Sequence, residues 1–209
     1  MDTATSKSKN NSMILKDKIR TLISKFGIFN KNEIEILVEK TIIDEFKKGT
    51  FLLKEGQIPT KCYMVVEGCV REYIIKDEGE KTTGFFTEGD TFTPHSENGK
   101  PSKYYWECLE DCVLTISNKS YEEEIRAAIP RLDAIFQEMA IEKINQTKEE
   151  LTQFVISSPE ERYLNLLDTK PHLLNRVSQH QIASYLGMKP QSLSRIRKRI
   201  SDNHSNSIM

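Results

Sequence analysis

Net charge is nearly absent from these 209 residues: 30 lysines and arginines face 31 aspartates and glutamates, a formal charge of -1. Bulk charge therefore names no polyanion partner. Cysteine is scarce, and Cys62, Cys69, Cys108 and Cys112 have the spacing of neither a zinc ribbon, nor an iron–sulfur loop, nor a redox Cys-x-x-Cys pair. No run approaches the ~20 apolar residues that a membrane-spanning helix needs, and the lysines near the start precede no apolar signal core. A cytoplasmic protein with free thiols and no membrane partner is the expectation. Catalytic signatures are missing too, with no phosphate-cradling Walker loop, no GxSxG and no HExxH. Neither an enzyme, nor a cofactor, nor a metal site is expected.

Apolar content, at 37%, is enough for a packed core. With 9 glycines and 7 prolines, each one is informative as punctuation. Residues 1–12 are polar and aperiodic and read as a disordered tail. Ile14, Leu15, Ile19, Leu22, Ile23 and Phe26 then recur at helical spacing up to Gly27. Asn30 with Glu33 forms a capping box that opens a second helix. From about Thr41 the pattern alternates. Ile42-Ile43, Phe51–Leu53, Tyr63–Val66, Val70–Ile75, Thr83–Phe86 and Val113–Ile116 are short apolar runs separated by turns such as Glu55-Gly56 and Glu67-Gly68. That spacing predicts an antiparallel roll and no doubly wound sheet.

Helical periodicity returns after Asn118, a cap for a helix reaching Ala127. Pro130 opens a longer helix whose Leu132, Ile135, Phe136, Met139, Ile144 and Leu151 offer more apolar surface than one neighbouring roll needs. This helix is read as a dimer seam. Ser158-Pro159-Glu160-Glu161 combines a cap, a first-turn proline and an N3 glutamate, so Ser157-Ser158 is the expected hinge.

The most informative stretch is Val177–Ile200, which holds no acidic residue. Ser178 and Gln181 form a capping box, so a helix starts at Gln179, with Ile182, Ala183 and Leu186 on its apolar face. Gly187 suits the left-handed residue that ends it. Pro190 is placed to be the first residue of a second helix, striped by Leu193, Ile196 and Ile200. Lys189, Arg195, Arg197, Lys198 and Arg199 leave that helix with a polar, basic face, the pattern of a helix-turn-helix.

Taken in order, helices, a glycine-punctuated roll, a long helix and a helix-turn-helix resemble the CRP/FNR family of transcription regulators. In the roll the resemblance lies between Phe46 and Tyr73, on Gly49, Leu52, Gly56, Tyr63, Val65, Gly68 and Val70, and then on Phe86 and Gly89-Asp90. At the C-terminus it lies in IASYLGMKPQSLSRIRKRI. The resemblance implies an α+β fold: an antiparallel double-stranded β-roll, jelly-roll-like, with flanking helices, a long dimerisation helix and an all-α helix-turn-helix domain. The corresponding divisions are a tail at 1–12, N-terminal helices and roll at 13–129, the dimerisation helix at 130–156 and a DNA-binding domain at 157–209.

Three departures from the family shape the functional expectation. Members that bind cyclic AMP carry Gly-Glu and, after a spacer, an arginine that pairs with the phosphate. Here Thr93-Pro94 stands near the Gly-Glu position and no arginine follows; Lys103 offers a point charge without a bidentate fork. Cyclic AMP is therefore not the expected effector. No cysteine precedes Cys62, which removes the family's N-terminal iron–sulfur mode. Only nine residues follow Ile200, read as disordered, which leaves out the family's strand hairpin, the wing.

By resemblance, the base-reading positions fall on Pro190, Gln191 and Arg195. Arg195 suits guanine O6 and N7, and Gln191 suits adenine. Ser178, Gln179, Lys189, Ser192 and Lys198 are placed for phosphate contacts. The implied partners are double-stranded DNA with a palindromic site, a second copy of the chain, an unidentified small-molecule effector and, as a further candidate, RNA polymerase. The competing expectation is a ligand-sensing or protein-interaction module whose degenerate helix-turn-helix no longer binds DNA. Tyr104, Tyr105 and Trp106 either line an effector pocket or pack the core, and the cysteines and His95 read as structural and loop residues.

Overall fold

The computed structural model describes residues 2–77, 79–93 and 99–206. Contacts divide the chain into two compact units. One holds the residues up to Arg71 with Phe85–Ile141; the other holds Glu72–Gly84 with the residues from Glu142 onward.

In the first unit α1 (Asp2–Ser24) and α2 (Lys31–Lys40) precede the strands. The polar residues expected to form a tail are helical from Asp2, since no glycine or proline interrupts the backbone ahead of the apolar turns. Leu15, Ile19, Leu22 and Ile23 of α1 bury against Ile34 and Val38 of α2 and against Met64 and Val66 of the roll. The Asn30–Glu33 capping box forms as expected. Arg131 then clamps the same glutamate, its Nε and Nη2 donating to Glu33 Oε1 at 2.7 Å and Oε2 at 2.6 Å. This guanidinium holds the Glu33 carboxyl below its ordinary range and ties the entry of the long helix to α2.

Among the described residues eight strands follow: β1 (Ile42–Phe46), β2 (Phe51–Leu53), β3 (Cys62–Glu67), β4 (Val70–Lys76), β5 (Gly79–Phe86), β6 (Thr91–Phe92), β7 (Tyr105–Cys108) and β8 (Cys112–Ser117). They make two four-stranded sheets, ordered β1-β8-β3-β6 and β2-β7-β4-β5. The antiparallel register runs from Ile42 opposite Ile116 to Phe46 opposite Cys112, and places Val65 opposite Leu114. Six strands match the apolar runs; β6 and β7 lie outside them.

The roll's core is aromatic. Phe92 stacks on Tyr63 at 5.3 Å and on Phe86 at 4.5 Å, with Trp106 edge-on at 5.0 Å, the offset and T-shaped geometries that ring quadrupoles favour. Trp106, 1% exposed, is a core residue. Half-buried Tyr105 instead reaches outward, its hydroxyl donating to Glu55 at 3.3 Å. The β3–β4 turn requires glycine: Gly68 has φ +106°, and a Cβ there would lie 2.8 Å from the Cys112 Cα and 2.9 Å from the Asp111 carbonyl. Thr93 and Lys103 are exposed, while Pro94 and His95 lie outside the described residues.

Helix α3 (Lys119–Ala128) is capped by Asn118, whose side chain accepts from Tyr121 N at 3.0 Å. The long helix α4 spans Leu132–Ile156 and so begins two residues after the expected Pro130. One part of the seam reading needs correction. Leu132 and Ile135, 1% and 2% exposed, are buried within the chain itself; Leu132 packs with Ile125 and Ile129 of the α3 end. Met139 is half-buried, and Phe136, Ile144 and Leu151 are exposed. Buried and exposed apolar residues thus share α4, and periodicity alone does not separate them.

In the second unit α4 is followed by α5 (Pro159–Thr169), α6 (Leu173–Arg176), α7 (Gln179–Tyr185) and α8 (Pro190–Asn206). Ser157 and Ser158 interrupt the helices, and the Ser158–Glu161 capping box with its N1 proline starts α5. Short α6 occupies the expected Asp168–Arg176 loop. Helix α8 continues past Ile200 to Asn206, where a polar unstructured end was expected. Tyr163, Leu166, Leu173, Val177, Ile182, Ala183, Leu186, Leu193 and Ile196 are buried. Among the described residues no helix is long and apolar enough to cross a membrane.

Candidate nucleic-acid interface

Ser178 caps α7 reciprocally: its hydroxyl accepts from Gln181 N at 3.3 Å, and its own N–H donates to Gln181 Oε1 at 3.3 Å. Ile182 and Ala183 face inward. At the far end Leu186 N donates to Ile182 O and Met188 N to Ala183 O, both at 2.9 Å. The wider of these loops closes around Gly187 at φ +68°, the arrangement of a glycine-terminated helix. A Cβ on Gly187 would also lie 3.2 Å from Phe154 Cζ and 3.3 Å from Arg162 Nη1.

Arg162 is a positioning residue that sequence reasoning missed. Its Nε donates to Ser157 O at 3.2 Å, its Nη1 to Leu186 O at 3.1 Å, and its guanidinium lies 4.1 Å from the centre of the Phe154 ring. One side chain on α5 therefore fixes the end of α4 and the α7–α8 turn at once. A planar fork that also stacks on an aromatic face makes this combination; a lysine cannot. No local sequence signal marks it, because its partners are two carbonyls and a ring from other elements.

Helix α8 starts where expected. Ser192 N and Leu193 N donate to Lys189 O at 2.9 and 3.2 Å, which makes Lys189 the N-cap and Pro190 the first helical residue. Leu193 and Ile196 are buried and Ile200 is half-buried. Pro190, Gln191, Ser192, Ser194, Arg195, Lys198 and Arg199 are exposed. Gln191, Arg195 and Lys198 stand at i, i+4 and i+7 and so share one face. Ser178, Gln179 and Lys189 are also exposed. The basic run is not wholly free of acid, since Arg199 pairs with Glu160 of α5. Ser184, on the flank of α7, is bonded to the β4–β5 hairpin: its hydroxyl accepts from Thr82 N at 3.0 Å and donates to Glu80 O at 3.2 Å.

The cysteines offer no competing site. Cys69, Cys108 and Cys112 are buried and Cys62 is half-buried. The Cys112 thiol donates to Glu110 O at 3.3 Å. Hydrogen bonding to Cys112 and burial push the Cys108 thiol far up, and burial likewise raises Cys62. Hydrogen bonding from Cys108 lowers Cys112 instead, but that thiol is buried, whereas reactive cysteines are at least partly exposed. Among the described residues no cluster of histidine, cysteine and acidic side chains can hold a metal ion.

Comparison with known proteins bears on the roll first. Residues 43–127 match the cyclic nucleotide-binding domain family. No curated protein matches the sequence. Among solved structures, FixK2 from Bradyrhizobium japonicum is similar with a TM-score of 0.65 at 19% identity, covering 78% of this chain and 86% of that one. The c-di-GMP-responsive global regulator CLP from Xanthomonas campestris gives 0.64 at 15%, covering 84% and 93%. The catabolite activator protein of Thermus thermophilus gives 0.52 at 16%, covering 86% and 87%. Residues 43–127 thus form a cyclic nucleotide-binding-type roll, and the chain as a whole has the CRP/FNR-type fold.

Proposed function

We propose that this protein is a sequence-specific DNA-binding transcription regulator that works as a homodimer, with α7 and α8 as a helix-turn-helix. The observation that carries this reading is the exposed face of α8. Gln191, Arg195 and Lys198 stand together on a helix whose start is fixed by Gly187 and Arg162. A preorganised helix that presents a fork donor and an amide is suited to major-groove base edges. Arg195 reads guanine, Gln191 reads adenine, and Pro190 leaves its position without a polar contact. Gln179, Lys189, Ser192 and Lys198 contact phosphates. Ser178 does so less freely, because its hydroxyl is already engaged in the capping box.

The exposed stripe of Phe136, Ile144 and Leu151 on α4 is the surface proposed to pair two copies. In this reading the roll takes a small-molecule effector other than cyclic AMP in its usual mode, acting through differential affinity for two arrangements about Ser157-Ser158. The protein is cytoplasmic, it is not an enzyme, and RNA polymerase is the machinery it addresses.

Two substitutions test the assignment of roles. Arg195→Ala weakens binding to a selected site by ~1–3 kcal/mol and relaxes preference at one base pair. Lys198→Ala weakens all sequences alike and lowers the salt slope by about one. Unchanged specificity in Arg195→Ala, measured by competition footprinting, removes Arg195 from the readers.

A further inference from the structure

Every residue of α4 from Glu142 to Ile156 is exposed, and two stripes of opposite character run along these turns. Glu142, Gln146, Glu149 and Gln153 keep one side polar. They follow each other at steps of four, three and four, the spacing that returns a helical side chain to the same face. Ile144, Leu151 and Val155 follow the same steps on another side, except that one member is replaced. The step after Ile144 falls on Lys148. Phe154 turns away from this stripe to lie against the Arg162 guanidinium.

Lys148 therefore stands in the middle of an apolar stripe rather than on the polar side of its helix. No carboxylate is placed to neutralise it there. Its neighbours one turn away are Ile144, Asn145, Leu151 and Thr152. Glu149 and Glu150 adjoin it in sequence, but helix positions one or two apart do not face each other. When parallel helices pair about a two-fold axis, residues on the seam meet their own copies. Lys148 then faces the partner's Lys148. The positions that flank such a seam hold Asn145, Thr147, Thr152 and Phe154, so neither chain brings an acid to the pair.

We infer that Lys148 is an electrostatic brake on the pairing of two copies, set in the centre of the seam by which they associate; this rests on the reading of α4 as the pairing surface. A lysine at one seam position lowers stability while fixing which residues stand opposite. Pairing off DNA is correspondingly weak. A duplex with two half-sites completes it, because each bound copy raises the effective concentration of the other. A lone half-site gains nothing from this coupling, so the brake favours the paired site.

The test mixes isotope-labelled wild type with unlabelled Lys148→Glu, both full chains, and reads the dimers by native mass spectrometry in ammonium acetate. Each homodimer sets like charges together, whereas the mixed dimer sets Lys148 against the introduced carboxylate. Its dissociation constant should lie about five- to tenfold below that of either homodimer. That gap should close as the salt rises from about 10 mM to 1 M and the screening length falls from ~30 to ~3 Å. Lys148→Met, which keeps the stem and drops the charge, should pair about tenfold more tightly than wild type. A statistical mixture at every salt concentration overturns the brake, and so does equal pairing by wild type and Lys148→Met. If Leu151→Glu is monomeric under the same conditions, the α4 pairing surface survives that result. If Leu151→Glu pairs as wild type does, the pairing surface falls and the brake with it.

Discussion

Gly187 and Arg162 together set the angle at which α7 hands the chain to α8, and each can be probed singly. Gly187→Ala places a side chain at φ +68° with its Cβ 3.2 Å from Phe154. The backbone term alone costs about 1–2 kcal/mol, which should appear as a lower thermal midpoint and weaker DNA binding. An unchanged midpoint, measured by calorimetry, would mean that the turn relaxes without resistance. Gly187, Ser178 and Pro190 were legible in the sequence because each acts on its immediate neighbours: a positive φ, a capping hydroxyl, a missing N–H. Arg162 and Ser184 were not. Their partners are backbone groups from distant segments, and nothing in the local residues requires them. Glu33 shows both cases in one side chain. Its capping bond to Asn30 follows from spacing, whereas its clamp by Arg131, 98 positions away, does not.

Among the elements, α4 carries the most consequence. Its first turns bury Leu132 and Ile135 within the chain, while Ile144 and Leu151 are 66% and 61% exposed. Those open apolar side chains are what the proposed pairing of two copies would cover. Leu151→Glu buries an unpaired carboxylate in the proposed dimer and should raise the dimer dissociation constant by at least about 100-fold. Sedimentation of an otherwise folded variant should therefore move from dimer to monomer. A variant that remains dimeric would place the interface elsewhere. Helices with capping boxes were readable to within a residue or two, and so were the strands β2, β3, β4 and β8, whose runs hold three or more apolar residues; β1 and β5 extend three and four residues beyond the runs that marked them. The elements missed are short: β6 has 2 residues, and β7 and α6 have 4 each. None is long enough to establish a period. The ends of α1 and α8 ran further than expected because polar composition permits a helix as readily as a coil when no breaker intervenes.

For the whole molecule, order of elements was the strongest sequence signal. A glycine-punctuated roll, a long helix and a terminal helix pair in that sequence fit few architectures, and the similarity to FixK2 and CLP extends over most of the chain. The bond from Thr82 N to the Ser184 hydroxyl, 102 residues away, was invisible in the sequence, since nothing beside either residue marks it.

The central claim, that α8 reads DNA sequence in a two-fold dimer, is tested most directly by selection from a random duplex pool with the wild-type protein. The account predicts enrichment of a palindrome whose half-sites lie about one helical turn, ~34 Å, apart. A guanine in each half-site should become dispensable in Arg195→Ala. No enrichment even at low salt, or an enriched site without two-fold symmetry, would contradict it.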